Sequence, residues 1–391
     1  MDNFKFWSPT EFIFGKNTVK HVGALIKKYG GTKVLVHYGS QFAVKSGLLA
    51  EVKNYLRDEF IDYVTLGGVQ PNPVDTLVYK GIELCRKENV NFILAVGGGS
   101  VIDSAKAIAA GVPYAGDFWN FFDGKVTINR SLPVATVLTI PAAGSEGSPN
   151  TVITKEEGAL KRGHGSPLLR PVFSIMDPVL TFTLPASQTA NGIADMMAHV
   201  MERYFTQTSG VEVTDRLCEA VLLAIIKEAP VVLREPENYD SRANIMWAGT
   251  IAHNGICGVG REEDWATHGL EHELSALYNV AHGAGLAVMF PAWMQYVYTS
   301  GIDRFVQFAI RVWGIEDTGN KKETALKGIQ ALKDFFSSLG LPVNFEQLGA
   351  KKDDIDQLIC KLKINSGGAL GNFRRLDMAD ARAIFEIAAK S

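Results

Sequence analysis

Cysteine is scarce and unpaired along this chain: Cys85, Cys218, Cys257 and Cys360 lie far apart, without the close spacings of a disulfide framework or a thiolate zinc site. All four are expected to be buried small hydrophobes. No apolar run reaches the roughly 20 residues that a bilayer crossing needs. The start, Met1 to Pro9, carries charges, aromatics and a proline but no apolar signal core, so a cytoplasmic location without a membrane partner is expected. Charge of one sign is not in excess. A formal net charge of −3 over 391 residues offers nothing to nucleic acid or to an anionic surface. Internal repeats and low-complexity tracts are absent as well, which excludes solenoid architectures. What remains is 47% hydrophobic and 21% charged, the balance of a folded globular protein. The chain is too long for one ordinary core, so two domains are expected.

Short β-branched runs alternate with helical stretches in the first half. Lys33–His37, Asp62–Leu66, Phe92–Val96, Val134–Ile140 and Val172–Ile175 read as strands; Ser46–Asp58, Val74–Lys87 and Val101–Ala110 carry apolar residues at helical spacing. That alternation predicts an α/β domain, a parallel sheet covered by helices. Beyond Leu184-Pro185 the apolar spacing stays near 3.6, as in Ile193–Tyr204, Val213–Lys227 and Ala325–Leu339. We therefore expect an α/β domain over 1–185 and an all-helical domain over 186–391.

Gly97-Gly98-Gly99-Ser100 follows a strand and opens a helix. Glycines there let backbone N–H groups approach a pyrophosphate, and the helix N-terminus favours its charge. The spacing is not G-x-G-x-x-G, and the triplet also reads as a plain tight turn. A second turn, Tyr38-Gly39-Ser40, sits where an adenosine ribose would lie. Ser40 is neutral where NAD sites commonly carry a carboxylate, and Lys45 is near, which favours NADP(H) over NAD(H). A third segment, Thr139 to Glu146 including Ser145, ends another strand in small residues where a nicotinamide would pass; it reads equally as an ordinary loop. The aromatic run Phe118, Trp119, Phe121 and Phe122 reads either as an apolar substrate entrance or as a packed surface loop.

The helical half carries the clearest chemistry. Asp195 and His199 stand four apart, as do His268 and His272, so each pair shares a helix face. His282 follows, bordered by small residues that leave space around an imidazole. One carboxylate and three imidazoles suit Fe(II), Zn(II), Mn(II) or Co(II), and ligand type alone does not choose among them. Such a set leaves a coordination position open for a substrate oxygen. His21, His37, His164 and His253 lack such company and read as structural. Glu271 and Glu273 read as a solvated helix face or as partners of the ligands rather than ligands.

Together, Gly97-Gly98-Gly99-Ser100-x-x-Asp103, Asp177-Pro178-x-Leu180-Thr181-x-Thr183-Leu184-Pro185, Asp195-x-x-x-His199, His268-x-x-x-His272 and His282-Gly283 resemble the iron-containing (group III) alcohol dehydrogenase family over essentially the whole chain. Within it the chain is most similar to the butanol dehydrogenase and NADPH-using aldehyde reductase branch, through Tyr38-Gly39-Ser40, Pro141-Ala142-Ala143-Gly144-Ser145-Glu146 and Arg170-Pro171-Val172-Phe173. The resemblance implies the dehydroquinate synthase-like fold, with the active site in the cleft between an α/β dinucleotide domain and a helical metal domain. It implies Asp195, His199, His268 and His282 as ligands of Fe(II), with Zn(II) the alternative. It places His272 beside the metal, in substrate positioning or proton transfer, and gives cofactor contacts to Asp103, Lys161 and Leu180. A homodimer and a small alcohol or aldehyde substrate such as butanol or butanal are further expectations. Two departures from the common pattern stand out: the segment after Thr139 is shorter, with Ala142-Ala143 where threonines are frequent, and Ser40 stands where aspartate is frequent. The rival readings are a zinc-dependent glycerol dehydrogenase of the same fold and, from another class, a metal- or nucleotide-binding protein without catalysis. A dehydroquinate synthase-like lyase would need clustered Lys and Arg, which the stretch around His268 and His282 does not show.

Overall fold

The computed structural model describes residues 1–39 and 42–390; Ser40, named above for the dinucleotide, lies outside them. Six strands form one parallel sheet: β1 (Glu11–Phe14), β2 (Lys33–Tyr38), β3 (Asp62–Leu66), β4 (Phe92–Gly97), β5 (Val134–Leu138) and β8 (Phe173–Met176), in the order β1-β8-β5-β4-β2-β3. β4 is buried at every position, as its unbroken apolar run requires of a strand covered on both faces. Two cores flank the sheet. One packs Val101, Ile102, Ala105 and Ile108 against Leu35, Ile93 and Ala95; the other packs Val22, Ile26, Val52 and Leu56 against Val34, Leu94 and Val137.

Three strands of this unit were not read from the sequence. β1 is a four-residue edge strand. β6 (Asn150–Lys155) and β7 (Leu160–Gly165) form a separate antiparallel hairpin, and the Leu-Lys-Arg-Gly-His-Gly of β7 has the composition of a loop, since Gly and Lys are depleted in strands. The aromatic run does not line an entrance. Phe118, Trp119, Phe121 and Phe122 are buried in the sheet core, with Phe121 and Phe122 ring-to-ring against His164 of the hairpin at 6.3 and 6.1 Å. Nor are all four cysteines buried: Cys360, on the helix Ile355–Ser366, is exposed.

The chain divides into two compact units. Trp7–Leu184 and Glu237–Met246 make the sheet unit; Met1–Phe6, Pro185–Pro236 and Trp247–Ser391 make the helical unit. They therefore exchange two short segments relative to the division at 185/186 read from the sequence. The helical unit is built around the helices Ala186–Tyr204, Glu212–Arg234, Ala266–Tyr278 and His282–Val297. Among the described residues no helix is long and apolar enough to cross a membrane.

His37 shows how the sheet unit handles a buried imidazole. It is fully buried, with Nδ1 2.8 Å from the Leu66 carbonyl and Nε2 2.9 Å from Ser104 Oγ. Burial pulls its pKa down to about 4, against the opposing hydrogen bond to Leu66. The unfolded chain, titrating near 6.5, binds more protons in that window, so stability falls as pH drops from about 6.5 to about 4. At 1.36 kcal/mol per unit the loss approaches about 3 kcal/mol. Urea midpoints at pH 7 and pH 5 should show the larger part of that loss, about 2 kcal/mol, in the wild type and much less of it in His37→Gln.

Candidate active site

The sheet positions the glycine triplet. β2 pairs with β3 on one side and with β4 on the other, so the chain reverses its direction of travel across the sheet between β2 and β4. In open α/β sheets ligands bind at the carboxyl ends of the strands flanking such a reversal. Tyr38 is in register with Val96, which brings Gly39 beside Gly97. A Cβ on Gly97 would lie 2.4 Å from Val101 Cγ2, one on Gly39 3.1 Å from the same methyl, and one on Gly98 2.9 Å from Ile140 Cβ. Gly99 differs: a Cβ there would meet only the Ala143 Cβ, at an ordinary 3.6 Å. Packing explains the first three glycines, whereas at Gly99 a side chain would occupy a cradle at the N-terminus of the helix Gly99–Gly111. That fits a pyrophosphate. Ser100 lies in the first turn of this helix and is half-buried.

The neighbouring segment is fastened to the same helix. The Thr139 amide donates to the Gly97 carbonyl at 3.1 Å. Asp103 accepts from Ser145 Oγ at 2.6 Å through Oδ1 and from the Val152 amide at 3.0 Å through Oδ2, so these two residues are engaged with each other. Lys161, on β7, is buried and donates to Asn72 Oδ1 at 3.0 Å. Leu180 packs partly buried against the Val34–Leu94 core.

In the helical unit Asp195, His268 and His282 each offer a ligand atom, all within 4.8 Å of one another. His199 Nε2 stands 3.3 Å from Asp195 Oδ1 and its ring 4.7 Å from that of His268. His268 Nε2 is buried with no hydrogen-bond partner, an arrangement that costs a protein free energy unless something binds the lone pair. Burial, then the charges of His268 and Arg203, hold the His199 pKa well below the usual histidine value. The donor set fits a divalent ion. His272 is half-buried, its ring 5.6 Å from that of His282 and 6.5 Å from that of His268.

Behind the imidazoles stand two carboxylates, of which the sequence offered Glu271 as a partner of the ligands but did not reveal Glu202. Glu202 Oε1 accepts from His268 Nδ1 at 2.7 Å, and Glu271 Oε2 pairs with His282 Nδ1. A carboxylate on the far nitrogen fixes a ligand histidine's tautomer and orientation. Glu271 and Glu273 are buried and so do not form a solvated face; Glu273 accepts from Asn365 Nδ2 at 2.7 Å. His253 has company after all, packing on His199 at 4.1 Å between ring centroids. Arg203 donates to His253 Nδ1 at 2.9 Å and to the His199 carbonyl at 2.6 Å.

The small residues after His282 serve helix packing. A Cβ on Gly283 would fall 1.9 Å from the Asn191 carbonyl oxygen, on the backbone of the helix carrying Asp195 and His199, and one on Gly285 would fall 2.6 Å from Glu271 Oε1. Gly283→Ala is therefore expected to push the two ligand-bearing helices apart, costing on the order of 2–3 kcal/mol. A lowered melting temperature together with weaker metal retention checks this; an unchanged protein contradicts it.

Residues 9–178 match the iron-containing alcohol dehydrogenase model, and residues 189–389 match the C-terminal model of the Fe-containing alcohol dehydrogenase family. The chain is 40% identical over 387 residues to NADH-dependent butanol dehydrogenase A of Clostridium acetobutylicum, covering 99% of each chain. It is 37% identical over 391 residues to the NADPH-dependent aldehyde reductase YqhD of Escherichia coli, covering 99% of this chain and all of the other. Among solved structures it resembles NADH-dependent butanol dehydrogenase A of Thermotoga maritima with a TM-score of 0.97 and 42% identity, over 100% of this chain and 99% of that one. With matches across both units, this chain belongs to the iron-containing alcohol dehydrogenase family.

Proposed function

We propose that this chain is a metal-dependent alcohol dehydrogenase or aldehyde reductase, transferring hydride between NAD(P)(H) and a small primary alcohol or aldehyde of the butanol/butanal class. The observation that carries the reading is the donor set Asp195, His268 and His282 with its buried, unsatisfied His268 Nε2, in a chain of this family. Asp195, His199, His268 and His282 are assigned to hold the ion, Fe(II) by family with Zn(II) the alternative. When bound, the ion supplies Lewis acidity toward a substrate oxygen and the dinucleotide supplies or accepts the hydride.

The chain's own residues bind, orient and move a proton. Gly97, Gly98, Gly99 and Ser100 are assigned to the pyrophosphate, with Gly39 and Ser40 toward the ribose. Thr139, Ser145, Lys161 and Leu180 complete the cofactor assignment, and Asp103 supports it by holding Ser145. The neutral Ser40 favours NADP(H). The relatives named for NADH stand at 38–43% identity and those named for NADPH and NADP at 37% and 30%, so the Ser40 reading runs against the cofactor named for the more similar relatives. A homodimer is carried over from the family resemblance.

Reduction of an aldehyde adds hydride to its carbon and a proton to its oxygen. His272 is assigned to deliver that proton from a ring nitrogen, since imidazole titrates near neutrality. His272→Ala should keep its metal while kcat falls about 10²-fold and the pH–rate profile loses one limb; full turnover with an unchanged profile would remove the role.

Metal-free protein reloaded anaerobically with Fe(II) or Zn(II) and assayed for butanal reduction with NADPH and NADH tests the whole reading. Activity restored by Fe(II) with preference for NADPH is expected. Activity with NADH alone would overturn the dinucleotide preference, and none with either metal and either cofactor would overturn the function.

A further inference from the structure

The helix Ala266–Tyr278 carries His268 and His272, yet it begins in a way that its own sequence does not support. Its N-cap residue, Trp265, has a left-handed backbone with φ +66° and makes no side-chain cap. Left-handed backbone is natural for glycine and an outlier for a bulky residue, so Trp265 needs support from elsewhere. Three groups supply it. Its amide donates to Glu202 Oε2 at 2.7 Å, its indole Nε1 to Glu263 Oε2 at 2.6 Å, and the Arg203 guanidinium lies 4.7 Å from its ring centroid.

Glu202 belongs to another helix, Ala186–Tyr204, three residues after His199. Besides the Trp265 amide it accepts, through Oε1, the His268 amide at 3.0 Å, the Thr267 hydroxyl at 2.5 Å and His268 Nδ1 at 2.7 Å. Trp265 is the N-cap and His268 the N3 residue. In an ordinary capping box the N-cap and N3 side chains satisfy these two amides reciprocally. Here one carboxylate from a neighbouring helix satisfies both, and its charge suits the helix N-terminus. The same oxygen holds the proton on His268 Nδ1 and leaves Nε2 as the nitrogen with a lone pair, buried and without a hydrogen-bond partner.

We propose that Glu202 is a positioning residue that couples the start of this helix to metal binding, one carboxylate capping the helix and setting the tautomer and aim of His268. The inference rests on the metal-site reading above. It distinguishes a carboxylate from its amide. Glu202→Gln offers one oxygen and one NH2 group, so either the Trp265 amide or the His268 donors must face an N–H.

The test is a Co(II) titration of metal-free protein, followed by the visible absorption of bound cobalt, for the wild type, Glu202→Gln and Glu263→Gln. Glu263 holds the Trp265 ring but not His268. Glu202→Gln should weaken Co(II) binding by about 10- to 100-fold and shift the cobalt bands, whereas Glu263→Gln should keep the wild-type bands. Equal affinity and identical bands for wild type and Glu202→Gln would overturn the proposal. Should Glu202→Gln not fold, amide hydrogen exchange of the wild type decides: slower exchange at Trp265 and His268 with cobalt bound supports the coupling, and unchanged exchange overturns it. A wild type that binds no Co(II) would instead overturn the metal-site reading, and the coupling with it.

Discussion

Replacing His268 by alanine is expected to leave a folded protein that retains no metal and loses turnover on the order of 10³-fold or more. The site needs its donors together: Asp195, His268 and His282 offer atoms within 4.8 Å, and His268 contributes the nitrogen that has no other partner. A bound ion of this kind supplies several kcal/mol of transition-state stabilisation, and about 4 kcal/mol corresponds to about 10³ in rate. The substitution also removes one of the donors gathered by Glu202, the Nδ1–H, while the backbone amides of Trp265 and of position 268 remain, so some stability is lost with the metal. Metal analysis and butanal reduction measured on the same sample check the expectation. A metal-free His268→Ala protein with wild-type turnover would contradict it.

The second large effect lies in the other unit. Lys106 is fully buried on the helix that the glycine triplet opens. Its ammonium reaches the carbonyls of Ser145, Ser148 and Asn150 at 2.7, 2.9 and 2.8 Å and the hydroxyls of Ser145 and Ser148 at 2.9 and 3.4 Å. Burial pulls its pKa down to about 8, opposed by the charges of Asp103 and Glu146, so it remains an ammonium at neutral pH. Lys106→Met is one atom shorter and takes the charged donor from the carbonyls of Ser145, Ser148 and Asn150, of which Ser145 keeps the Ser148 amide at 3.3 Å, at about 1–3 kcal/mol for each hydrogen bond to the ammonium that is lost. A destabilisation of roughly 5 kcal/mol is expected, read by chemical denaturation. Metal affinity, assigned above to residues of the helical unit, should hold in whatever protein stays folded. A Lys106→Met protein as stable as the wild type would show that segment 145–150 is held by other means.

How much of this was legible follows from what a sequence pattern records. The residues assigned as donors, Asp195, His199, His268 and His282, stood out because ligand chemistry restricts residue type and a helix repeats the spacing of four. The central strands were visible because burial on both faces demands unbroken apolar runs, as in Phe92–Gly97. Glu202 and Arg203 were not, because a charged residue on a helix ordinarily reads as a solvated face; only the three-dimensional neighbourhood shows that both are buried against His268 and His199. His253 was set aside for the same reason: it lies 54 positions from His199 in sequence, by their numbering, yet stacks against it. Gly283 was read as leaving room for an imidazole, whereas its neighbour is the backbone of Asn191. The hairpin Asn150–Gly165 escaped because β7 carries glycine, lysine and arginine, and pairing with the β-branched run of β6 supplies what the propensity of β7 does not; the run Thr151–Thr154 itself was a strand signal that went unread.

The most direct test of the central claim is the position and ligation of the ion itself. Crystals of the Fe(II)-loaded protein, measured on both sides of the iron absorption edge, should give one strong anomalous peak per chain, surrounded by a carboxylate oxygen of Asp195 and imidazole nitrogens of His199, His268 and His282. A peak elsewhere, or one bound through a cysteine sulfur, would contradict the account.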